Sequence, residues 1–518
     1  MEKQLTITCS PTKIHLNQWV IYGFCLLLSA VFFFLFGFNS PIYTFNSDPD
    51  FNWFLTMGHG IVAGKLPYRD LFDHKGPITY MIFAFACLFQ NPQFVIWCIE
   101  VLCMSLFFFF TYRIAKKYLN TFYSFVATSI MALVIFSSWC RIYSAATVEE
   151  FCLPIYAYFL LCWLEFILDK QSWHWVRALC LGLCFGILFW VKYTLLFFMV
   201  APMVIWLIIS LRSKQYRTIL SNLVMMLTGA IIITLPVLII FAINHTLSDL
   251  FHVYFVINLT AYGTTSIKTV IDSINKFLWI GPILLVFLFY GVIRFTIKYW
   301  RNRAGWLLLI SFLVTLLLLA YSSKKIVYYF AELIPYAILG VVDVLILISN
   351  KVKLPRHHYW LLPIIILVCF LCTMPLSPYY IHELKRNRSD YAPLVIADEI
   401  HSYEAANHTS ATLFCYRIFD FGFYNAAKIT PNNYFFGNNF FNENRFPEMY
   451  QSFRRYITEQ TSDFVITERK TWEQEQDFLG QYYQPYRADI NTCTYHYNKL
   501  KYYYYVNYDF VLLIKKSS

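Results

Sequence analysis

Long apolar stretches recur along the chain, separated by short polar turns. Segments at 17–38, 94–113, 121–139, 151–168, 175–190, 193–211, 218–243, 276–297, 304–321, 327–349 and 359–377 each approach the roughly 20 residues a helix needs to cross a bilayer. The pattern predicts an all-α polytopic membrane protein with about eleven transmembrane helices. Residues 78–89 are apolar but too short to cross, and Asn91-Pro92 interrupts them before the next full span. They are expected to form an interfacial or re-entrant helix, because counting them as a span puts basic loops on both faces. The run from Trp19 to Phe38 lacks a small-x-small cleavage site and is expected to stay as the first span.

Basic residues cluster after alternate spans. Arg113, Lys116 and Lys117 follow the second, and Arg212, Lys214 and Arg217 the sixth. Arg294, Lys298, Arg301 and Arg303 follow the eighth, and Lys351, Lys353 and Arg356 the tenth. All lie on one face if the N-terminus is cytoplasmic. The 46–77 loop, the Arg141–Glu150 turn, the 244–275 loop and the C-terminal tail then lie outside.

Past residue 381 the pattern changes to polar and aromatic sequence with strand-like runs at Ala411–Tyr416, Asp463–Thr467 and Tyr502–Lys515. Helical stretches separate these runs. The expected organisation is a transmembrane domain over 1–380 and a small extracytoplasmic α/β domain over 381–518. Tyr-rich segments such as Tyr502–Tyr505 suit a position at the headgroup layer.

Composition agrees with this picture. Only 14% of residues are charged, well below the roughly 25% of soluble domains. The net charge of +11 is not a nucleic-acid signal, since the tail from Ile381 is near neutral, with 15 Lys and Arg against 16 Asp and Glu. The excess sits in the short loops between spans. Of 14 cysteines most fall in apolar runs, where a thiol is a small hydrophobe. Cys415 and Cys493 lie in the polar tail, and a bridge between them is left open. No CxxC or His-rich cluster has metal-ligand spacing, so no metal ligands are assigned.

The stretch Asn46–Pro77 stands apart. It follows the first span and carries Asp48, Asp50, Asp70 and Asp73 beside Arg69, His74 and Lys75. Asp48-Pro49 predicts a helix start, with Asp as N-cap and Pro at the first helical position. Phe51, Phe54, Leu55, Gly58, Ile61 and Val62 then follow helical spacing, and Gly64 ends the run. An amphipathic helix on the membrane surface is expected. Glu100 and Asp343 lie inside spans, where a bundle-interior hydrogen bond is the expected role.

Asp50 with Phe54, then Gly64-Lys65-Leu66-Pro67-Tyr68-Arg69-Asp70, then Phe72-Asp73-His74-Lys75-Gly76-Pro77 resembles the first extracytoplasmic loop of bacterial GT-C glycosyltransferases. The likeness is strongest to dolichyl-phosphate-mannose–protein mannosyltransferase-like proteins and the related lipid A aminoarabinose transferases. Thr147-Val148-Glu149-Glu150-Phe151 with Leu153-Pro154 supports the resemblance. Tyr328-Tyr329 before Pro335 supports it more weakly, where relatives often carry a His.

The resemblance implies inverting sugar transfer from a polyprenyl-phosphate donor to an acceptor outside a bacterial inner membrane. It makes Asp50 the catalytic base, with Asp48 as the alternative and Asp73 as the second acidic position. Asp48 is equally explained as an N-cap, and Asp73 as a partner for Lys75 or Arg69. Lys75 is implied at the donor phosphate. Arg69, His74, Arg141 and Lys192 are candidate substrate contacts, and Glu149 and Glu150 candidates for orienting the loop or the acceptor. Whether a divalent cation assists is left open, as are the sugar, the acceptor and the linkage. The competing class is a transporter or flippase of lipid-linked sugars, which predicts internal repeats and charges spread through several spans.

The alternating basic loops generate a topology prediction. Reporter fusions after Lys117, Arg217 and Lys353 should read cytoplasmic, and one after Ser518 external. A cytoplasmic C-terminus would overturn the span count.

Overall fold

The computed structural model describes residues 17–516, apart from 47, 138–145, 170–172, 262–264, 279–280, 324–325, 353–357, 377–382, 439–440, 442 and 497–503. Helices occupy each of the eleven predicted span positions. Among the described residues seven helical stretches are long and apolar enough to cross a membrane, or eight with the bent pair Ile267–Phe277 and Pro282–Lys298. The positions at Thr121–Phe136, Leu153–Asp169 and Trp175–Val191 hold helices of 16 or 17 residues. At about 1.5 Å per residue these reach about 25 Å, a little short of a full hydrocarbon core. The first two are largely buried inside the bundle, where length need not match lipid.

The predicted span at 276–297 starts later than expected. Pro282 opens the apolar helix, while Ile267–Phe277 is a separate amphipathic helix. Close crossings elsewhere rest on small residues. A Cβ on Gly182 or Gly229 would collide with the facing helix backbone, and the same holds for Gly291 and Gly340.

The loop after α1 (Gln18–Phe36) folds into two short helices, α2 (Pro49–Val62) and α3 (Pro77–Cys87), before the long span α4 (Pro92–Lys116). Asp48 caps α2 by accepting the Phe51 N–H at 3.1 Å, and Gly64 takes a positive φ of 85° just past its end. Phe51 and Phe54 pack on Phe83 of α3, and Gly58 abuts the backbone there.

The opposite face of α2 is covered rather than exposed to water. The Thr56 hydroxyl donates to Asp420 at 2.7 Å, and the Trp53 ring stacks on Phe436 with centroids 4.2 Å apart. The helix is thus clamped between the bundle and the C-terminal residues.

Those residues build a four-stranded sheet in the order β1-β2-β4-β3, from β1 (Leu413–Cys415), β2 (Phe464–Glu468), β3 (Tyr483–His496) and β4 (Tyr504–Lys515). β1 and β2 pair in parallel, and the other neighbours are antiparallel. Three strands coincide with the predicted runs, β2 running one residue past its run to Glu468. β3 does not, because Pro485, Asp489 and Asn491 dilute its strand signal and its register shifts twice along β4. Sheet order also decides the cysteines. Cys415 on β1 is free and buried, and the Cys493 side chain lies outside the described residues. Their strands sit at opposite edges, about 14 Å apart at the usual strand spacing, beyond the roughly 7 Å reach of a disulfide.

Candidate active site

Asp50 stands in the first turn of α2, half-buried, and its carboxylate accepts the Tyr328 hydroxyl at 2.9 Å. Tyr328 belongs to the tight 3₁₀ turn Val327–Leu333 that opens the span ending at Lys351. Burial pushes the Asp50 carboxyl above the usual range, and the nearby charges of Glu149 and Asp73 add to it. Lys75 and the Tyr328 hydrogen bond pull the other way without cancelling the rise.

Downstream, the loop turns at Tyr68, whose φ is 69° and whose N–H meets the Leu71 carbonyl at 2.9 Å. The next residues are driven inward. Asp73, His74 and Lys75 are buried, and their backbone is held by tyrosines. Tyr68 donates to the Lys75 carbonyl at 2.6 Å, and the Lys75 N–H donates to Tyr80 at 2.9 Å. Gly76 then meets the end of the helix Trp175–Val191, its N–H donating to the Val191 carbonyl at 3.0 Å. A Cβ at Gly76 would collide with the Trp190 carbonyl, so only glycine permits this approach.

The three side chains form a directed relay. The Lys75 ammonium is a donor only, so His74 Nε2, 3.1 Å away, is the acceptor. The ring proton therefore sits on Nδ1, which faces Asp73 at 3.2 Å. Burial and the Lys75 charge push the His74 pKa down to about 4, so the ring is neutral at physiological pH. For Asp73, burial acts upward, but the contacts with His74 and Lys75 outweigh it and hold the carboxyl below its usual range.

A second charged pair closes the site. Thr147 caps the short helix Val148–Phe151, which presents Glu149. Glu149 accepts the Lys192 ammonium at 2.7 Å, and both are buried. Lys192 also lies 3.1 Å above the centre of the Tyr329 ring, a cation–π contact. Beside these groups opens a cavity of about 280 Å³ lined by His74, Lys75, Lys192, Tyr193, Thr194, Phe197, Tyr254, Asn258, Leu259, Thr265, Tyr321, Ser322, Ser323, Ile326 and Tyr329. The lining mixes the two lysines and hydroxyl or amide groups with the apolar side chains of Phe197, Leu259 and Ile326. Asp50 is not in this lining. Its partner Tyr328 is the chain neighbour of Tyr329, which is in the lining.

The structure thus brings Asp50, Asp73, His74, Lys75, Glu149 and Lys192 together. Glu150 lies one residue beyond, buried, and accepts the Ala146 N–H at 3.1 Å. Asp48 is the α2 cap. Arg69 is exposed and pairs with Asp70 at 3.1 Å, away from the cavity. Arg141 lies outside the described residues. Among the described residues no three His, Cys, Asp or Glu side chains gather to hold a metal ion.

Sequence reasoning missed Tyr254 and Asn258. Asn258 donates to the His74 carbonyl at 2.7 Å from the end of a π-helical turn, His252–Ile257. The Tyr-x-x-x-Asn spacing in the loop over 244–275 was the available signal, and π-turns recur at functional sites. Glu332 was missed as well. It is buried within the electrostatic reach of Lys192 and Glu149, and it accepts the Phe198 N–H at 3.2 Å.

Comparison with known proteins places this geometry. The sequence pattern of the family described as dolichyl-phosphate-mannose-protein mannosyltransferase matches residues 74–240. Among solved structures, ArnT from Cupriavidus metallidurans bound to undecaprenyl phosphate superposes with a TM-score of 0.59 at 12% identity, over 95% of this chain and 97% of that one. The apo state of the same protein gives 0.60 at 11% identity, over 96% and 97%. At such identities the likeness is one of fold. No curated protein sequence matches the chain.

The Tyr328 contact carries a pH prediction. The hydroxyl favours the ionised form of Asp50, so Tyr328→Phe should raise the carboxyl further. Activity that needs Asp50 ionised is lost as pH falls through its pKa, so the acid limb of kcat/KM should move to higher pH. An unmoved limb would mean that the titrating group is not Asp50.

Proposed function

We propose, on the premise that this chain is a GT-C superfamily membrane glycosyltransferase, that it transfers a sugar from a polyprenyl-phosphate donor to an extracytoplasmic acceptor with inversion. The acceptor hydroxyl attacks the anomeric carbon, and a new carbon–oxygen bond forms as the bond to the lipid phosphate breaks. Asp50 takes the hydroxyl proton, and the phosphate leaves with the bonding electron pair.

The observation that carries this reading is the pairing of a half-buried carboxylate with a cavity bearing two lysines. A carboxyl held above its usual range is a better proton acceptor than an ordinary surface aspartate. Lys75 and Lys192 line the cavity, so negative charge developing on a departing phosphate meets fixed cations. Phe197, Leu259 and Ile326 add apolar surface to the cavity lining, which suits the first isoprene units. Undecaprenyl phosphate in the ArnT structure supports the same class of lipid for this chain. The topology proposed from the basic loops puts the reaction on the outer face, with the C-terminal α/β residues as an extracytoplasmic domain. Arg69, on its exposed turn, is assigned no donor contact.

Lys75 gives the first test. A charge-assisted contact contributes roughly 1.5–3 kcal/mol. Lys75→Ala should therefore weaken donor use by about ten- to a hundredfold in KM, read with a synthetic polyprenyl-phosphate sugar. An unchanged donor KM and turnover would remove Lys75 from the phosphate site.

Asp50 gives the second. Asn is nearly isosteric but cannot take the proton, so Asp50→Asn should lose turnover by about a hundredfold or more while donor binding persists. Asp48→Asn should be mild, because Asn caps a helix about as well as Asp. The reverse ranking would move the base to Asp48, and near-normal transfer by Asp50→Asn would overturn the base mechanism.

A further inference from the structure

The π-helical turn His252–Ile257 and the residue after it reach the backbone beside both cavity lysines. Tyr254 is buried, and its hydroxyl is used twice. It donates to the Phe189 carbonyl and accepts the Tyr193 N–H at 3.0 Å. Phe189 and Tyr193 are four residues apart, the spacing of an α-helical hydrogen bond. The hydroxyl therefore stands where the next bond of the helix Trp175–Val191 would form. The Lys192 N–H still makes a helical bond, to the Leu188 carbonyl at 2.9 Å. Lys192 itself then leaves the helix with extended backbone, φ −170° and ψ 112°, before the 3₁₀ turn Tyr193–Leu196.

Four residues beyond Tyr254, Asn258 holds the other lysine. Its side-chain amide donates to the His74 carbonyl at 2.7 Å and to the Tyr254 carbonyl at 2.8 Å. Carbonyls only accept, so the amide nitrogen faces both and both its hydrogens are used. The His74 carbonyl shares a planar peptide unit with the Lys75 N–H, which donates to Tyr80. That unit is gripped at both polar atoms. The Tyr193 N–H belongs in the same way to the peptide unit that follows Lys192. A single turn, closed on itself by the Asn258–Tyr254 bond, thus reaches the peptide unit before Lys75 and the one after Lys192.

The two lysine segments also meet directly. The Gly76 N–H and the Thr79 hydroxyl both donate to the Val191 carbonyl, at 3.0 and 3.3 Å. Bonds that converge on one atom permit rotation about it. The π-helical turn supplies ties at other atoms, and rotation is then blocked.

We propose that Tyr254 and Asn258 are positioning residues, which together strap the Lys75 and Lys192 backbones at a fixed separation in the cavity lining. The consequence for donor binding rests on the transferase reading above. The strap does not.

The test has two arms, on the full-length protein in nanodiscs. Tyr254→Phe keeps the ring and loses only the hydroxyl, and Asn258→Asp keeps the shape and cannot donate. In hydrogen exchange read by mass spectrometry, the Tyr193 amide should exchange about tenfold faster in Tyr254→Phe, and the Lys75 amide likewise in Asn258→Asp. Peptides of α2 should exchange as in wild type. Unchanged exchange at both amides would overturn the strap, whatever the protein catalyses. An equal rise in α2 would also overturn it, since the effect would then be general loosening.

The second arm measures the Kd of undecaprenyl phosphate, which each variant should weaken by about five- to tenfold as preorganisation is lost. In a Lys75→Ala background, Asn258→Asp should add less than about twofold, because residues acting through one another are not additive. If Asn258→Asp costs as much without Lys75 as with it, Asn258 does not act through Lys75 and the positioning role is wrong. If wild type does not bind undecaprenyl phosphate, the transferase reading fails and the exchange arm alone decides the strap.

Discussion

The structure depends on keeping charges out of water without leaving them alone. Asp73, Lys75, Glu149 and Lys192 are all buried, and a lone buried charge of this kind costs several kcal/mol. Each is placed against another of the set or against His74, so that the cost is met within a few ångströms. Such a cluster is intolerant of displacement. That intolerance explains why the backbone around it is over-determined, with Tyr68 and Tyr80 clasping Lys75 and Gly76 pressed against Trp190 and Val191. A polar site this dense is rigid because it must be satisfied.

The same requirement accounts for the C-terminal residues lying directly on the loop. Phe72 donates its N–H to the Tyr434 carbonyl at 2.9 Å and inserts its ring among Phe435, Phe441 and Phe446. Phe441 also meets the His74 ring edge-on. This aromatic cover excludes water from one side of the Asp73–His74–Lys75 relay, and exclusion strengthens every interaction beneath it. Beneath α2, Asp420 is buried with the Thr56 hydroxyl and the Gly422 and Phe423 N–H groups around it. It fastens the cover to the helix that carries Asp50.

Much of this was legible in the sequence, and the reasons differ by level. Spans were readable because twenty apolar residues have few other uses. The α2 start was readable because Asp48-Pro49 is a local signal that needs no tertiary partner. The loop motif gathered Asp50, Asp73, His74 and Lys75 because they lie within 26 residues of one another. Residues that act through distant contacts were harder. Asn258 reaches His74 from 184 positions downstream, with Tyr254 lining the same cavity, and the Tyr-x-x-x-Asn spacing says nothing of which distant loop it will meet. Glu100 read as an ordinary interior hydrogen-bonding group, and its link to Asn39 depends on how α1 and α4 pack. The polar face of α2 suggested water, because a sequence pattern cannot distinguish a solvent-facing surface from one that another part of the chain covers.

The two lysines are not equivalent, and their surroundings suit them to different parts in the proposed reaction. Lys192 is already matched by Glu149 at 2.7 Å and capped by the Tyr329 ring, so its charge is largely spoken for. Lys75 has a different neighbour. His74 offers it a neutral nitrogen, which takes one ammonium proton as a hydrogen bond without cancelling the charge. Two protons of Lys75 are then left for oxygens in the cavity, and its full positive charge faces them. Asp73 sets this up indirectly, since by accepting Nδ1–H it presents Nε2 as a lone pair. A carboxylate placed directly against Lys75 would fix it equally well and neutralise it. Interposing a neutral imidazole fixes the lysine while leaving its charge for a phosphate, which is the property a leaving-group site requires.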